Sequence, residues 1–243
     1  MLSRIKIKHV VGGILVYGVG AVAGASLLAR KDDEEERVGK EGKCAFDGLA
    51  STFDDKIGTS EKWGGIIDYR KNLLVDCKGK TLEVAAGTAR NLEYYPEEAQ
   101  LTLLDVSENM LVVAKEKKAK LGKEATLVCG TCTELPFDDC SFDNVVDTFG
   151  LCSFDNPEVA LSEMKRVCKK GGRIRLLEHG RSHYNIPPLD WFLDARAPHH
   201  ADRWGCWWNR DIDNFVNSLD DIIVESQNYH HLGTTYELVL KRT

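Results

Sequence analysis

The chain has 243 residues, 43% hydrophobic and 29% charged, which suits one globular domain with an appendage. Its formal charge of −6 is unevenly spread: residues 1–31 hold five Lys or Arg and no acid, leaving −11 on the remainder, a poor match for broad binding to a phosphate backbone. Eight cysteines in a domain with an ordinary core read as reduced, small apolar residues rather than a disulfide framework.

Residues 1–9 form a basic leader whose Arg, Ser and Lys without acids match the start of a mitochondrial targeting segment. Residues 10–29, VVGGILVYGVGAVAGASLLA, carry no charge, and twenty residues of helix span about 30 Å, the thickness of a bilayer core. The small-x-small pairs at residues 21–23 and 23–25 leave a cleaved signal peptide as the rival. The apolar run is longer than a signal's core, which favours an uncleaved transmembrane anchor. Gly20 and Gly24 would let a partner helix approach closely. Residues 30–43 are a charged, solvated linker, and a domain follows over residues 44–243.

At the start of that domain, residues 46–58 and 61–74 read as two helices, with Ile66, Ile67, Leu73 and Leu74 at helical spacing. The organising stretch is TLEVAAGTARN, residues 81–91: a short apolar strand that runs into a turn of very small side chains, where backbone can approach a ligand closely. Residues 90–96 then begin a short helix ended by Pro96. A second strand at residues 101–104 ends on Asp105, near the ~20-residue offset at which doubly wound folds set a carboxylate on a ribose. Residues 107–121 form an amphipathic helix, with Ser107 as cap and lysines toward its end.

Strands follow at residues 125–129, 142–148 and 173–178, the last two separated by a helix at residues 157–167 with Pro157 in its first turn and Asp155 or Asn156 as cap. Alternating strands and helices predict a doubly wound, mostly parallel sheet. Residues 181–212 are rich in aromatic residues, among them Tyr184, Trp191, Phe192, Trp204, Trp207 and Trp208. They form a cap above the strand ends, where open sheets bind ligands, or an apolar helix packed on the domain or on a membrane. Residues 222–227 and 236–241 close the sheet as a hairpin. The lone Cys129-x-x-Cys132 and the adjacent His199 and His200 lack the partners of a metal site, so no metal ligands are assigned.

The loop EVAAGTA resembles the glycine loop of class I S-adenosylmethionine-dependent methyltransferases, with alanine at two family glycine positions. LPFDDCSFDNVVDTFGLCS, KKGGRIRLLEHGRS and HHLGTTYELVLKR resemble later blocks of that family's quinone C-methyltransferase-like branch, in the same order. The resemblance implies an α/β, Rossmann-like class I fold: a doubly wound, mostly parallel seven-stranded sheet with an antiparallel C-terminal hairpin, here preceded by one N-terminal transmembrane helix. It also implies a lid near Phe46 and Phe53.

By the same resemblance the cofactor is S-adenosyl-L-methionine. Glu83, Ala85 and Gly87 serve its methionine end, Asp105 its ribose, Met110 and Thr131 its adenine, and Thr148 the edge at the methyl donor, with Thr88 a further cofactor-binding residue. Thr131 stands where the family usually has an Asp, which weakens the adenine contact. Asp147, His179 and His183 are the candidates for moving a proton. These features are similar to two membrane-tethered groups, the mitochondrial inner-membrane methyltransferase-like proteins and the small-thiol methyltransferases of the endoplasmic reticulum; the leader favours the first. The expected acceptor is a small lipophilic molecule, quinone-like or a thiol. The alternatives are a catalytically silent assembly factor of an organelle membrane and methylation of organellar RNA or protein.

Overall fold

The computed structural model describes residues 46–243; the leader, the apolar run at residues 10–29 and the linker lie outside the described residues. Among the described residues no helix is long and apolar enough to cross a membrane. After a short 3-10 turn at Asp47–Leu49 come α1 (Phe53–Gly64), α2 (Ile66–Leu74), β1 (Gly79–Val84), β2 (Ala99–Asp105), α3 (Glu108–Leu121), β3 (Ala125–Cys129) and β4 (Phe142–Thr148). The chain continues with α4 (Pro157–Val167), β5 (Cys168–His179), α5 (Pro187–Trp204), α6 (Ile212–Asn217), β6 (Ile222–His230) and β7 (Thr235–Arg242).

The seven strands form one sheet in the order β3-β2-β1-β4-β5-β7-β6. The first five in that order run parallel, while β7 is antiparallel to both β5 and β6, which gives the expected closing hairpin. Successive side chains of a strand face opposite sides, and this assigns each apolar pair to two cores. Val145 and Leu176 pack with Ala160, Leu161 and Met164 of α4 on one face. Their neighbours Val146 and Leu177 pack with Ile66, Leu73 and Leu74 of α2 on the other. With both faces covered, the strand order reverses beside β1. Ligands of such sheets enter at that switch point, beyond the carboxyl ends of the strands. Register brings Val84 beside Asp147, Asp105 beside Cys129 and Thr148 beside Leu177, so the residues that follow these strands converge on one rim.

Caps fix where the helices begin. The Ser107 hydroxyl accepts from the Met110 amide, and Asp211 accepts from the Asn214 amide. Asn156 holds the cap position of α4 without a side-chain bond, and Pro157 supplies the preset φ of the first turn.

Three expectations need correction. Residues 90–96 form no helix. Successive i to i+3 bonds (Ala89 to Ala86, Leu92 to Ala89, Tyr94 to Asn91) make a chain of turns, because Ala89 sits at φ 56° and the side chains of Arg90, Asn91 and Tyr95 bond elsewhere. The break between the first two helices falls at Gly65, whose φ of 77° suits glycine, so Trp63 belongs to α1. β5 begins at Cys168 and takes residues 169–172 in as an irregularity opposite β4, where a simple turn was expected.

Leu176 is fully buried on β5. Leu176→Ala should lower unfolding stability by roughly 2–5 kcal/mol in urea denaturation, the cost of a core cavity that cannot collapse.

Candidate functional site

A cavity of about 1140 Å³ opens along the rim, between the small-residue loop after β1 on one side and α5 with its following loop on the other. The loop keeps a glycine-like backbone without the glycines. Ala85, Gly87 and Ala89 all have positive φ, at 47°, 54° and 56°, a region that costs an alanine roughly 1–2 kcal/mol. Bonds on both sides offset that cost. The Ala86 amide donates to the Leu104 carbonyl at 3.0 Å, and the Gly87 amide donates to Asp105 Oδ2 at 2.7 Å.

Asp105 Oδ1 also accepts the Ser107 amide at 2.9 Å, so one carboxylate ties the loop to the start of α3. Burial pushes the Asp105 carboxyl above its usual range, opposed by those two amide bonds. The Val106 amide adds a further contact, and the carboxylate lines the cavity wall, where it can accept a ligand's hydroxyls. Ser107 in turn donates a short hydrogen bond to Asp47, closing the rim over the start of α3.

Glu83 sits deeper. Its Oε1 accepts from Asn91 Nδ2 at 2.9 Å and its Oε2 from the Tyr95 hydroxyl at 2.8 Å, while burial raises its pKa to about 7. The same Asn91 accepts from Arg70 Nη1 at 2.8 Å, and that nitrogen also donates to the Thr148 hydroxyl at 2.8 Å. Arg70 Nη2 meets Glu61 Oε1 at 2.8 Å, and Arg90 joins Glu61 to Asp54 at 2.6 and 2.9 Å. Burial is the largest single influence and pushes Glu61 up, but the Arg70 and Arg90 guanidinium groups together outweigh it and hold the carboxyl below its ordinary value. This lattice binds α1 and α2 to the loop as one charged unit.

At the other end stand Phe149, Cys152 and His179 from the sheet edge and Phe192, His200, Cys206 and Trp208 from the cap. His179 lies against Phe149, with ring centroids 4.3 Å apart. Burial, aided by the neighbouring His200, His231 and Arg70, lowers its pKa to about 3 and keeps the ring neutral. Beneath this end, Asp147 Oδ2 accepts the Leu151 amide at 3.0 Å, and Glu178 accepts the amides of Gly150 and Cys152. Burial raises both carboxyls, and they are close enough to share a proton.

Glu83, Ala85, Gly87, Thr88, Asp105, Met110, Thr131, Thr148 and His179 therefore line one cavity. Asp147 lies below the floor, fully buried, rather than at the wall. His183 stands outside the cavity altogether: it bonds Asp213 at 2.9 Å and stacks on Tyr229 at 3.7 Å in a separate surface hollow. Sequence reasoning missed Arg70, Glu61 and Asn91. A signal existed for Arg70, which sits four residues from both Ile66 and Leu74 and so falls on the apolar stripe of α2, where an unpaired charge is not tolerated.

Comparison with known proteins agrees with this geometry. Residues 82–176 match the family model described as "Methyltransferase domain". The chain is 34% identical over 212 residues to "Methyltransferase OMS1, mitochondrial" of Saccharomyces cerevisiae, covering 79% of this chain and 44% of that protein. It is 35% identical over 148 residues to the "Ubiquinone/menaquinone biosynthesis C-methyltransferase UbiE" of Brucella anthropi, covering 58% and 56%. The chain thus spans about half the length of these curated relatives. Among solved structures, a putative methyltransferase from Bacillus halodurans superposes with a TM-score of 0.58 at 20% identity, covering 67% of this chain and 71% of that one, which shows a shared fold. A methyltransferase from Aquifex aeolicus does so at 0.53 and 17%, covering 80% and 97%. Residues 82–176 thus match a methyltransferase domain model, and the chain shares its Rossmann-like fold with solved methyltransferase structures.

Because the folded state holds the Glu83 proton up to about pH 7, against 4.5 for a free side chain, folding binds a proton between those values. Glu83 therefore makes stability fall as pH rises from about 4.5 to about 7, and the fall then levels off. Urea unfolding of Glu83→Gln should lack this component, so its stability relative to wild type should rise across that window by on the order of a few kcal/mol.

Proposed function

We propose that this methyltransferase-domain protein transfers a methyl group from S-adenosyl-L-methionine to a small lipophilic acceptor, quinone-like or a thiol. The observation that carries the reading is the pairing, within one cavity, of a nucleoside-type cradle at Asp105 with an aromatic chamber at the cap.

The donor set fits the cofactor. Asp105 offers carboxylate oxygens to ribose hydroxyls, and Met110, Cys132 and Val106 line an apolar slot suited to a purine. Around Gly87 a Cβ would meet nothing within 4 Å, so the backbone there is open to a ligand. Glu83, Arg70 and Thr148 supply charge and hydrogen bonding suited to the amino and carboxylate groups of the methionine end. When bound, the cofactor supplies an already activated sulfonium methyl. What the chain must add is alignment and exclusion of water. Phe149, Phe192, Trp204 and Trp208 wall off the acceptor end, and neutral His179 orients an acceptor by hydrogen bonding. An imidazole with so low a pKa is a weak base, which favours acceptors that ionise readily.

The cap's aromatic lining supports a lipophilic acceptor, and the name of the Brucella relative makes quinones the first class to test. The uncharged run at residues 10–29 and the name of the yeast relative support attachment to a mitochondrial membrane, with residues 10–29 as the anchor. Tryptophans at 73% exposure on Trp191 and 64% on Trp63 suit a domain held near a lipid interface.

Full-length protein incubated with methyl-labelled S-adenosylmethionine and an organic extract of mitochondrial membranes should move label into the organic phase. Asp105→Ala should cut kcat/KM for the donor roughly 10–100-fold, the equivalent of losing charged hydrogen bonds worth about 1.5–3 kcal/mol. Failure of folded, cofactor-bound protein to label any lipid, quinone or thiol would refute the acceptor class.

A further inference from the structure

At the acceptor end, three soft ligand atoms meet that are far apart in sequence. Cys206 Sγ lies 3.1 Å from Cys152 Sγ and 3.9 Å from His179 Nδ1, and the ligand atoms of the three residues all lie within 4.8 Å of one another. We propose that Cys152, His179 and Cys206 form a three-ligand site for a zinc-class cation, with its fourth coordination position open to the cavity.

The dimensions suit the cation. Two thiolates bound tetrahedrally at about 2.3 Å from zinc sit about 3.8 Å apart, and a thiolate and an imidazole about 3.6 Å apart. Reaching those spacings moves the two sulfurs about 0.7 Å further apart and brings Cys206 Sγ about 0.3 Å closer to His179 Nδ1, while the Cys152–His179 pair starts from no more than 4.8 Å. Two sulfurs and one imidazole nitrogen form a donor set that selects zinc or copper(I) over magnesium or calcium. Three protein ligands with a vacant fourth position is the arrangement of catalytic rather than structural zinc.

Each ligand is also held by its surroundings. His179 ends β5, and the Trp207 amide donates to the Cys152 carbonyl at 2.7 Å, which fastens the Cys206 loop to the Cys152 loop. His200 Nδ1 bonds the Cys206 carbonyl at 2.8 Å. Below lies the buried acidic pair, with Glu178 accepting the Cys152 amide at 3.4 Å. Supporting partners of this sort normally orient metal ligands and tune the metal. Cys77 and Cys168 are buried too, yet neither belongs to such a cluster among the described residues.

All three ligands line the same cavity as the nucleoside-type cradle, so the open position faces the proposed acceptor end. A thiol or phenol-type donor is the class of ligand that would complete the coordination. The cation site itself stands on its own geometry and holds whether or not methyl transfer is the activity.

The test is cobalt substitution of full-length, reduced protein stripped of metal by a chelator. Wild type titrated with Co²⁺ should develop thiolate-to-cobalt charge-transfer absorption and the visible bands of a tetrahedral site, saturating at one ion per chain, and Zn²⁺ should displace them. Cys152→Ser and Cys206→Ser should each lose most of the charge-transfer intensity while retaining the far-ultraviolet circular dichroism of the fold. Cys129→Ser, which removes an exposed thiol, should leave it unchanged. Absence of the bands in folded wild type, or their persistence in the double Cys152→Ser, Cys206→Ser variant, would overturn the site. A mass lower by two hydrogens, with a Cys152–Cys206 linked peptide and no bound metal under the same reducing conditions, would overturn it as well.

Discussion

Asp105 is the constraint on which the rim depends. As the last residue of β2 it receives two backbone amides, one from the loop after β1 and one from the start of α3, and so fixes the relation of two segments that bring no side chain of their own to the contact. The loop would otherwise be strained, since Ala85 and Ala89 hold left-handed backbone that glycine adopts more cheaply. Alanine is tolerated because neighbouring bonds over-determine the conformation, as at other ligand-holding turns. A carboxylate with this job is already placed and partly desolvated before a ligand arrives.

The charged lattice beyond Asp105 extends this order to α1 and α2. Arg70 and Glu61 are almost fully buried, so the pair's Coulomb attraction is largely spent in repaying desolvation, and removing one partner alone would cost roughly 3–5 kcal/mol. Such a pair contributes position more than stability. Through Asn91 it connects α1 and α2 to Glu83 under the loop and to Thr148 at the end of β4. The helices α1 and α2 and the loop after β1 are therefore held together as one hydrogen-bonded unit along the cavity. The opposite end follows a different logic, with apolar and aromatic walls around two cysteine sulfurs and an imidazole above a buried acidic floor.

Much of the framework was legible in the sequence because sheet registers follow apolar alternation. Every strand and the closing hairpin could be found from short apolar runs, and Asp105 from its distance to the small-residue loop. What escaped had no local signature. The turns at residues 90–96 share composition with a helix and differ only in where their side chains bond. His183 comes four residues after His179, the last residue of β5, but the chain has by then turned away from the cavity toward Asp213 and Tyr229. Cys152, His179 and Cys206 come together only after β4, β5 and the cap have packed, so no spacing rule for metal ligands could register them. Arg70 was readable in principle, as a charge on an apolar stripe. Its partners Glu61, Asn91 and Thr148 could be known only from the fold.

The most direct test of the account is calorimetric titration of the full-length chain with S-adenosylmethionine and with its demethylated product, alongside Asp105→Asn. The account predicts saturable binding of both by wild type, with a weakened but folded Asp105→Asn, whose amide keeps an acceptor for one backbone bond and loses the charge at the wall. No binding by folded wild type would contradict it, and the left-handed alanine loop would then be a scaffold feature rather than a cofactor cradle.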